Sequence, residues 1–336
     1  MSATRTRCSR ADPWRIGGSS LPPNLLLSAK LMAASLLLQG YVAALPEPFV
    51  PLLSWLLPPR PDLVQAGLQV GATGAALLLL GNRRPKVCAL VLGGALLFTL
   101  LATRGEYRNS KFFVACILIL IGLNAGKRSL VFLRAQLVLV YMGSGVNKLL
   151  DADWRSGRYF HHWQSEILGN GAWDALADRL PPLALGQAAG WVVIVSELTL
   201  GAGLAFASLT SVVIVAAMIM HAASVVMAGT TFGIFFAALL FSFPVLIAWP
   251  RPGETTARFD PGRRWHATLA GFSARVDREG WVAAEARPGT GLELRLRGRT
   301  WKGARAAALW LLLLPATWFT AAVFLAAPAW LHWGAT

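Results

Sequence analysis

Long apolar blocks are the feature of this sequence that most limits what it can fold into. They recur between Leu25 and Trp249, and most approach the length of about 20 residues that a helix needs to cross a bilayer. Charged residues make up only 14% of the chain, whereas a soluble protein carries roughly 25%. The sequence therefore predicts an all-α polytopic membrane protein rather than a soluble globular domain.

We expect about eight transmembrane helices, at residues 25–45, 63–81, 87–103, 111–124, 129–150, 186–207, 209–228 and 230–249. The segment from Pro46 to Pro61 is rich in proline, which favours a short interfacial segment over a crossing. The first apolar run follows several arginines, as in a cleavable signal, but it is longer than a signal core and contains Lys30. We expect it to remain as the first transmembrane helix.

The formal net charge of +15 comes from basic residues in loops and in one tail. Such an excess is typical of cytoplasmic loops and of contact with anionic lipids, so we predict the lipid bilayer and not nucleic acid as partner. With eight spans, most basic stretches fall on the side of the N-terminus, and the loop at residues 104–111 is a mildly basic exception. This pattern predicts a bacterial-type inner membrane protein with a cytoplasmic N-terminus, and residues 151–185, of net charge −2, outside.

The sequence divides into four parts. These are a basic N-terminal tail at 1–20, a transmembrane domain at 21–250, a small basic cytoplasmic α/β appendage at 251–305 and an apolar C-terminal helix or helices at 306–336. In the appendage, alternating residues at Leu292–Leu296 and a turn at Gly298 predict a hairpin, and a helix is expected from Arg263 to Val276. Pro315 breaks the last apolar run, which favours two helices on the cytoplasmic face over a ninth span.

Lys148 ends the fifth predicted span, where an apolar stretch gives way to polar residues. An ammonium at a hydrocarbon boundary loses hydration, so a neutral amine that can act as a base becomes accessible. The same position also suits a lysine that extends to the lipid headgroups without any chemistry. We expect Lys148 at the outer rim of its helix.

Three further polar residues are expected at middle depth in the spans. Tyr141 lies seven residues before Lys148 and shares its helix face, and Glu197 continues a stripe of small residues at Gly186 and Gly190. His221 lies in the seventh span. Together they predict a polar cavity beneath Lys148, or alternatively hydrogen bonds that join the helices.

Metal binding is not expected. His162 and Glu166 have the spacing of a metal-binding pair, but no third ligand is nearby, and their aromatic neighbours fit an interfacial helix. The three cysteines, Cys8, Cys88 and Cys116, match no metal or redox spacing.

The stretch from Tyr141 to Gly157 resembles the motif of the HTTM superfamily, the transmembrane domain shared with vitamin K-dependent gamma-glutamyl carboxylase. The matching residues are Arg134-Ala135-Gln136, Gly143-Ser144-Gly145, Lys148-Leu149, Trp154 and Gly157. Downstream, Glu197-Leu198 is similar to the acidic helix of the family. His221, followed by Phe232-Gly233-Ile234-Phe235 and Pro244, is similar to its histidine helix. The resemblance covers roughly residues 20–250.

The resemblance implies an enzyme that uses a quinol of the menaquinol or vitamin K type. Lys148 would deprotonate the quinol, His221 would bind or orient reacting groups, and Glu197 would balance the charge. Tyr141, Asn147 and Trp154 would bind the cofactor. In the carboxylase, oxygen converts the quinol anion to a strong base, which removes a proton from a glutamate γ-carbon before CO₂ adds.

The chain departs from the carboxylase in one respect that keeps other functions open. Residues 151–185 are too few for the large lumenal portion that holds the protein substrate of the carboxylase. An alternative is a non-catalytic membrane subunit or scaffold that presents its appendage to a protein partner. A small transporter lined by Tyr141, Glu197 and His221 is a third possibility.

The appendage is loosely similar to the opening of the thioredoxin-like DCC domain that many HTTM proteins carry. The similar residues are Phe259-Asp260-Pro261-Gly262 and the run from Arg275 to Gly280. The cysteine pair of that domain is missing, so disulfide exchange is excluded for this segment. The resemblance implies a shortened remnant that serves packing or partner contact.

Overall fold

The computed structural model of the protein describes residues 15–46, 61–102, 109–124, 127–228, 233–247 and 249–320, and they are mostly helical. The chain begins with α1 (Pro23–Leu38), α2 (Pro61–Leu80), α3 (Pro85–Ala102), α4 (Asn109–Gly122) and α5 (Lys127–Leu150). Three short helices follow, α6 (Ala152–Ser156), α7 (Arg158–His161) and α8 (Gly171–Ala177), with a π-helical stretch at His162–Ile167 before α8. The next apolar helices are α9 (Ala184–Ala205), α10 (Thr210–Ala228) and α11 (Gly233–Ser242).

A helix lies in each of the eight predicted spans, which confirms the helical membrane class of fold. Within the described ranges, five helical segments have the length and apolar composition to cross a bilayer: Asp62–Leu80, Pro85–Ala102, Leu130–Leu150, Ala184–Ala205 and Ala207–Ser224. Helices α1 and α4 are shorter apolar helices. The protein is therefore an integral membrane protein with five candidate crossings in the part of the chain that is described.

The chain forms two compact units, the first from residues 1–129 and 237–336 and the second from residues 130–236. In the first unit, α3 packs against α2 and α4. A Cβ atom at Gly122 would lie 2.5 Å from the Leu90 side chain, so this glycine permits the close approach of α4 to α3. At Gly67 and Gly71 of α2, by contrast, no described atom lies within 4 Å of a Cβ position.

A network in the first unit ties the start of the described chain to its helices and to the appendage. The Glu279 carboxylate accepts hydrogen bonds from the backbone N–H groups of Ile16 (2.8 Å) and Gly17 (3.0 Å). Lys30 Nζ donates to the Arg15 carbonyl at 2.8 Å, and Asn82 Nδ2 donates to the same oxygen at 3.0 Å. We call these contacts the N-terminal junction, which gives the buried Lys30 ammonium a polar partner inside an apolar helix.

The appendage is a four-stranded sheet with two helices. Its elements are β1 (Thr255–Phe259), α12 (Arg264–Val276), β2 (Val282–Ala286), β3 (Glu293–Leu296), β4 (Arg299–Lys302) and α13 (Gly303–Leu312). The strand order is β2-β1-β3-β4, with β1 parallel to β2 and antiparallel to β3, and β3 antiparallel to β4. The predicted helix and hairpin are both confirmed.

The hairpin turn and the core of the appendage follow from particular residues. Arg297 (φ 50°) and Gly298 (φ 76°) both have the positive φ that a two-residue turn between twisted strands requires. Ala257 and Leu294, on β1 and β3, are fully buried. The buried indole of Trp310 on α13 donates to Ser273 Oγ on α12 at 3.0 Å, so the two helices are joined by a hydrogen bond.

The break predicted at Pro315 is present. Helix α13 ends at Leu312, and residues 315–320 are helical again. Because proline has no N–H and fixes its φ, it suits the start of the new helix and not the middle of a longer one. The remainder of the C-terminal run, the proline-rich segment at 47–60 and the arginine-rich start of the N-terminal tail at 1–14 lie outside the described residues.

Candidate functional site

One face of α5 carries the polar side chains of the second unit. Tyr141, Ser144 and Lys148 are spaced by three and four residues, so they follow each other along one side of the helix. Tyr141 is almost fully buried and Lys148 is partly buried. This face points to α9 and α10, which carry Glu197 and His221.

Lys148 and Glu197 form an ion pair between α5 and α9. Lys148 Nζ lies 2.7 Å from Glu197 Oε2 and 2.9 Å from Oε1, and it also donates to Ser144 Oγ. These three acceptors match the three donors of an ammonium group. The side chains of Lys148 and Glu197 are only 17% and 10% exposed, so the pair is largely buried within the protein.

Lys148 lies in the last turn of α5, as expected, but the prediction that Glu197 lies deeper than Lys148 was wrong, because the two side chains are in contact. The two residues meet because α6 and α7 fold back and pack against the first half of α9. The Trp154 carbonyl lies where a Cβ of Gly190 would be, at 2.4 Å, and the Gly157 carbonyl lies 2.3 Å from the Cβ position of Gly186. The first turns of α9 therefore pack directly against residues 152–161, the segment that follows Lys148 in the chain.

The small-residue stripe of α9 is a packing surface along its whole length. Beyond Gly186 and Gly190, a Cβ at Gly201 would lie 2.7 Å from the Met142 side chain. In the opposite direction, a Cβ at Gly145 of α5 would lie 2.9 Å from Leu198. The absence of side chains at these positions lets α5 and α9 approach closely enough for the ion pair to form.

An aromatic cluster, made of Trp154, Tyr159, Phe160 and Trp163, lies next to the ion pair. Lys148 Nζ is 5.0 Å from the centre of the Trp154 ring, which is within the range of a cation–π interaction. Trp154 stacks on Tyr159 with ring centres 4.3 Å apart, and Phe160 meets Trp154 edge-on. Burial raises the pKa of the Tyr159 phenol, so this ring remains a neutral stacking partner at physiological pH.

Tyr141 and His221 form a second pair deeper in the same unit. Tyr141 Oη lies 2.6 Å from His221 Nε2, and each residue is 2% exposed. Tyr141 is also within electrostatic range of Glu197. The Tyr141 hydroxyl thus joins α10, through His221, to α5, the helix that carries Lys148.

The structure brings together most, but not all, of the residues that the sequence singled out. Lys148, Glu197 and Trp154 form one cluster, with the Tyr141–His221 pair next to it. Asn147 is exposed, because adjacent positions on a helix point about 100° apart, and its side chain takes no part in these contacts. Ser144 was expected only as part of the small-residue motif and not as a site residue, although its spacing of four residues before Lys148 was a usable signal.

Arg134, near the start of α5, joins two other helices of the second unit. Its Nη1 donates to the Leu204 carbonyl at 2.7 Å and to Thr210 Oγ1 at 3.0 Å. It therefore satisfies a backbone acceptor near the end of α9 and joins α9 to the start of α10. This contact fixes the turn between the helices that carry Glu197 and His221.

His162 and Glu166 form an exposed pair, with His162 Nδ1 2.8 Å from Glu166 Oε2. In the described part of the chain, no three His, Cys, Asp or Glu side chains come together as metal ligands would.

The chemistry that this arrangement can perform is proton transfer inside a helical membrane unit. An amine and a carboxylate in contact can exchange a proton, and a neutral amine can accept one from a third group. Ser144 and Trp154 hold the Lys148 amine in place.

No protein-family model, curated protein or solved structure matches this chain. The functional assignment therefore rests on the residues of the site.

Proposed function

We propose that the protein is a membrane-embedded, carboxylase-like enzyme of the HTTM type in which Lys148 takes a proton from a lipid-soluble quinol. The observation that carries this proposal is the Lys148–Glu197 pair, at 2.7 Å, on two helices long and apolar enough to cross the bilayer. Ionisable groups are costly in a membrane and are kept there mainly for function. A proton taken up by this pair would add one positive charge to it, and the anion left by the proton donor would balance that charge.

The residues at the pair fit a quinol of the menaquinol or vitamin K type. Such a molecule, when bound, supplies a hydroxyl proton and reducing electrons. Lys148 receives the proton, Glu197 and Ser144 position the amine, and the Trp154 ring offers an aromatic surface beside it. Val146 and Leu150, on either side of Lys148, are exposed apolar residues that suit entry from the lipid.

The proposal is tested by binding of menaquinol to the detergent-purified protein, followed by native mass spectrometry and by oxygen consumption. We expect the wild type to bind the quinol and to oxidise it. The double variant Lys148→Met/Glu197→Gln keeps the site neutral and should bind without oxidation. Lys302→Met, which changes an exposed lysine of β4, is the matched control and should behave as the wild type does.

A non-catalytic membrane subunit is the second candidate function. It is favoured by the three acceptors that already satisfy the Lys148 ammonium, since such a lysine can serve purely to join α5 and α9. Failure of the intact wild type to bind menaquinol or ubiquinol would overturn the enzyme proposal and favour this role, with a protein partner on the cytoplasmic or outer face.

We also propose that eight helices, α1–α5 and α9–α11, cross a bacterial-type inner membrane with the N-terminus in the cytoplasm. The basic residues Arg83 and Arg84 between α2 and α3, and Lys86 in the first turn of α3, support this orientation. Single cysteines placed at residues 170 and 289 of a cysteine-free variant test it. An impermeant reagent should label whole cells at 170 and not at 289, and the reverse result would invert the orientation.

The appendage is proposed to be a shortened thioredoxin-like domain of the DCC type that serves packing or partner contact. Its order β2-β1-β3-β4, with a parallel β1–β2 pair joined through α12 and an antiparallel β3–β4 hairpin, is the arrangement of thioredoxin-like sheets. The turn before α12 carries Gly262, Arg263 and Arg264 in place of thiols, which leaves no redox role for this segment.

A further inference from the structure

A cleft with two arginines lies where the chain passes from its last apolar helix into the appendage. It has a volume of about 570 Å³ and is lined by Arg251, Glu254, Arg297 and Gly298. All four residues belong to the first compact unit. We call it the arginine cleft.

The two guanidinium groups of the arginine cleft are held differently. Arg297 is fixed on the hairpin turn, where its Nη2 donates to the Trp249 carbonyl at 3.0 Å. The Arg251 side chain is 90% exposed, and its Nε lies 3.9 Å from Glu254 Oε1. One arginine is thus a fixed part of the wall and the other can adjust to a ligand.

The charge of the arginine cleft is that of an anion site. Two guanidinium groups and the single Glu254 carboxylate leave a net charge of +1. A phosphodiester carries one negative charge, and guanidinium groups bind phosphate oxygens through paired hydrogen bonds. Gly298 contributes no side chain to the wall, and no described atom lies within 4 Å of its Cβ position.

The arginine cleft follows an apolar stretch of the chain. The apolar stretch α11 continues into a 3₁₀ turn at Phe243–Leu246, and Arg251 follows five residues after Leu246. Trp249, a residue type enriched at membrane interfaces, lies between them and packs edge-on against Trp281. The buried indole N–H groups of these two tryptophans have no acceptor among the described residues, so hydrogen-bond donors are in excess at this end of the sheet.

We propose that the arginine cleft binds the phosphate of an anionic membrane phospholipid. The shared chemistry is a phosphate anion, and the membrane is the source because the cleft follows directly after an apolar helix. Bound lipid would hold the appendage at the bilayer surface through Arg251 and Arg297. This inference does not depend on quinol chemistry.

Lipid titration followed by native mass spectrometry tests the proposal on the full-length protein. The probes are dioleoyl-phosphatidylglycerol and, as a reference that also reports an intact fold, dioleoyl-phosphatidylcholine. Arg251→Gln and Arg297→Gln should each weaken binding of the first bound phosphatidylglycerol by about fivefold, which is the contribution of one basic residue at an anionic membrane surface. Phosphatidylcholine carries the same phosphodiester beside a cationic choline, so both variants should weaken its binding by less than they weaken the binding of phosphatidylglycerol.

Arg287→Gln is the matched control, because Arg287 is half-exposed and follows the last residue of β2, at the end of the sheet opposite to the arginine cleft. It should leave both affinities unchanged. An equal loss in Arg287→Gln, or an unchanged affinity in either cleft variant, would show that the basic appendage attracts lipid without a defined site and would overturn the proposal. Displacement of phosphatidylglycerol by millimolar inorganic phosphate would assign the cleft to a soluble anion and overturn the lipid source.

Discussion

At the scale of single residues, the Lys148–Glu197 pair is a largely buried ion pair of the second unit. Removing two charges from water is costly, and the attraction between them offsets that cost only when the geometry is good and other donors are satisfied. Here the carboxylate meets the ammonium at 2.7 and 2.9 Å, and Ser144 accepts from the remaining donor. Losing one partner should therefore be far more damaging than losing both.

Glu197→Gln should destabilise the protein by about 3–5 kcal/mol, because it leaves the Lys148 ammonium without its carboxylate. The midpoint of thermal unfolding in one detergent measures this effect. Glu166→Gln, which removes an exposed acid paired with His162, should change stability by less than about 1 kcal/mol. The double variant Lys148→Met/Glu197→Leu should recover most of the loss, and a double variant as unstable as Glu197→Gln would contradict this account.

Tyr141→Phe should cost about 1–3 kcal/mol, since it removes the hydroxyl that lies 2.6 Å from the buried His221 Nε2. The same deletion in Tyr159→Phe should have a smaller effect, because Tyr159 contacts Trp154 through its ring. Both variants are compared by thermal unfolding. Equal effects would show that the Tyr141–His221 hydrogen bond contributes nothing specific to stability.

At the scale of elements, much of the structure could be predicted from the sequence and the decisive contact could not. Apolar blocks predicted six of the eight helices to within two residues, whereas α1 and α11 each end seven residues before the predicted span does. The alternation before Gly298 predicted the hairpin, because it is a local property of the chain. Pairing of Lys148 with Glu197 depends on how residues 152–161 fold back onto α9. The glycine spacing predicted a packing surface on α9. It did not predict that the carbonyl groups of Trp154 and Gly157 pack against that surface.

Gly157→Ala should destabilise the second unit by more than about 4 kcal/mol, in the range of severe single substitutions. The new Cβ would lie 2.0 Å from the Gln187 backbone nitrogen, and φ is +83°. Gly169→Ala is the matched control, because its φ is also positive, at +58°, but no described atom lies within 4 Å of its Cβ position. It should cost only the left-handed backbone strain, about 1–2 kcal/mol. Comparing the thermal unfolding of the two variants therefore separates the steric clash from the backbone strain.

At the scale of the whole molecule, the sequence is joined across long distances within the first unit. The N-terminal junction connects residues 15–17 to Glu279, more than 260 positions away. Lys30 and Asn82 bind the same segment through the Arg15 carbonyl. The appendage is therefore fastened to the start of the protein and is not a loose C-terminal tail. The sequence did not predict this link, because the acid and its backbone donors share no motif.

Glu279→Ala should release the N-terminal junction and speed amide hydrogen exchange at Ile16 and Gly17 by at least tenfold, since each N–H loses its acceptor. Exchange followed by mass spectrometry on the full-length protein measures this. Glu285→Ala removes a half-exposed acid of β2 and should leave these two amides unchanged. Slow exchange in Glu279→Ala would mean that other contacts suffice to hold the N-terminal segment.

The pairing of α5 with α9 also sets an order for how the protein is made. Lys148 precedes Glu197 by 49 residues, so at a translation rate of about 5–20 residues per second its ammonium waits roughly 2–10 s for its counter-charge. During that interval the end of α5 carries a charge without a partner. The ammonium must therefore remain in water at the membrane surface or be bound by the insertion machinery. Final seating of α5 in the bilayer therefore follows the arrival of α9.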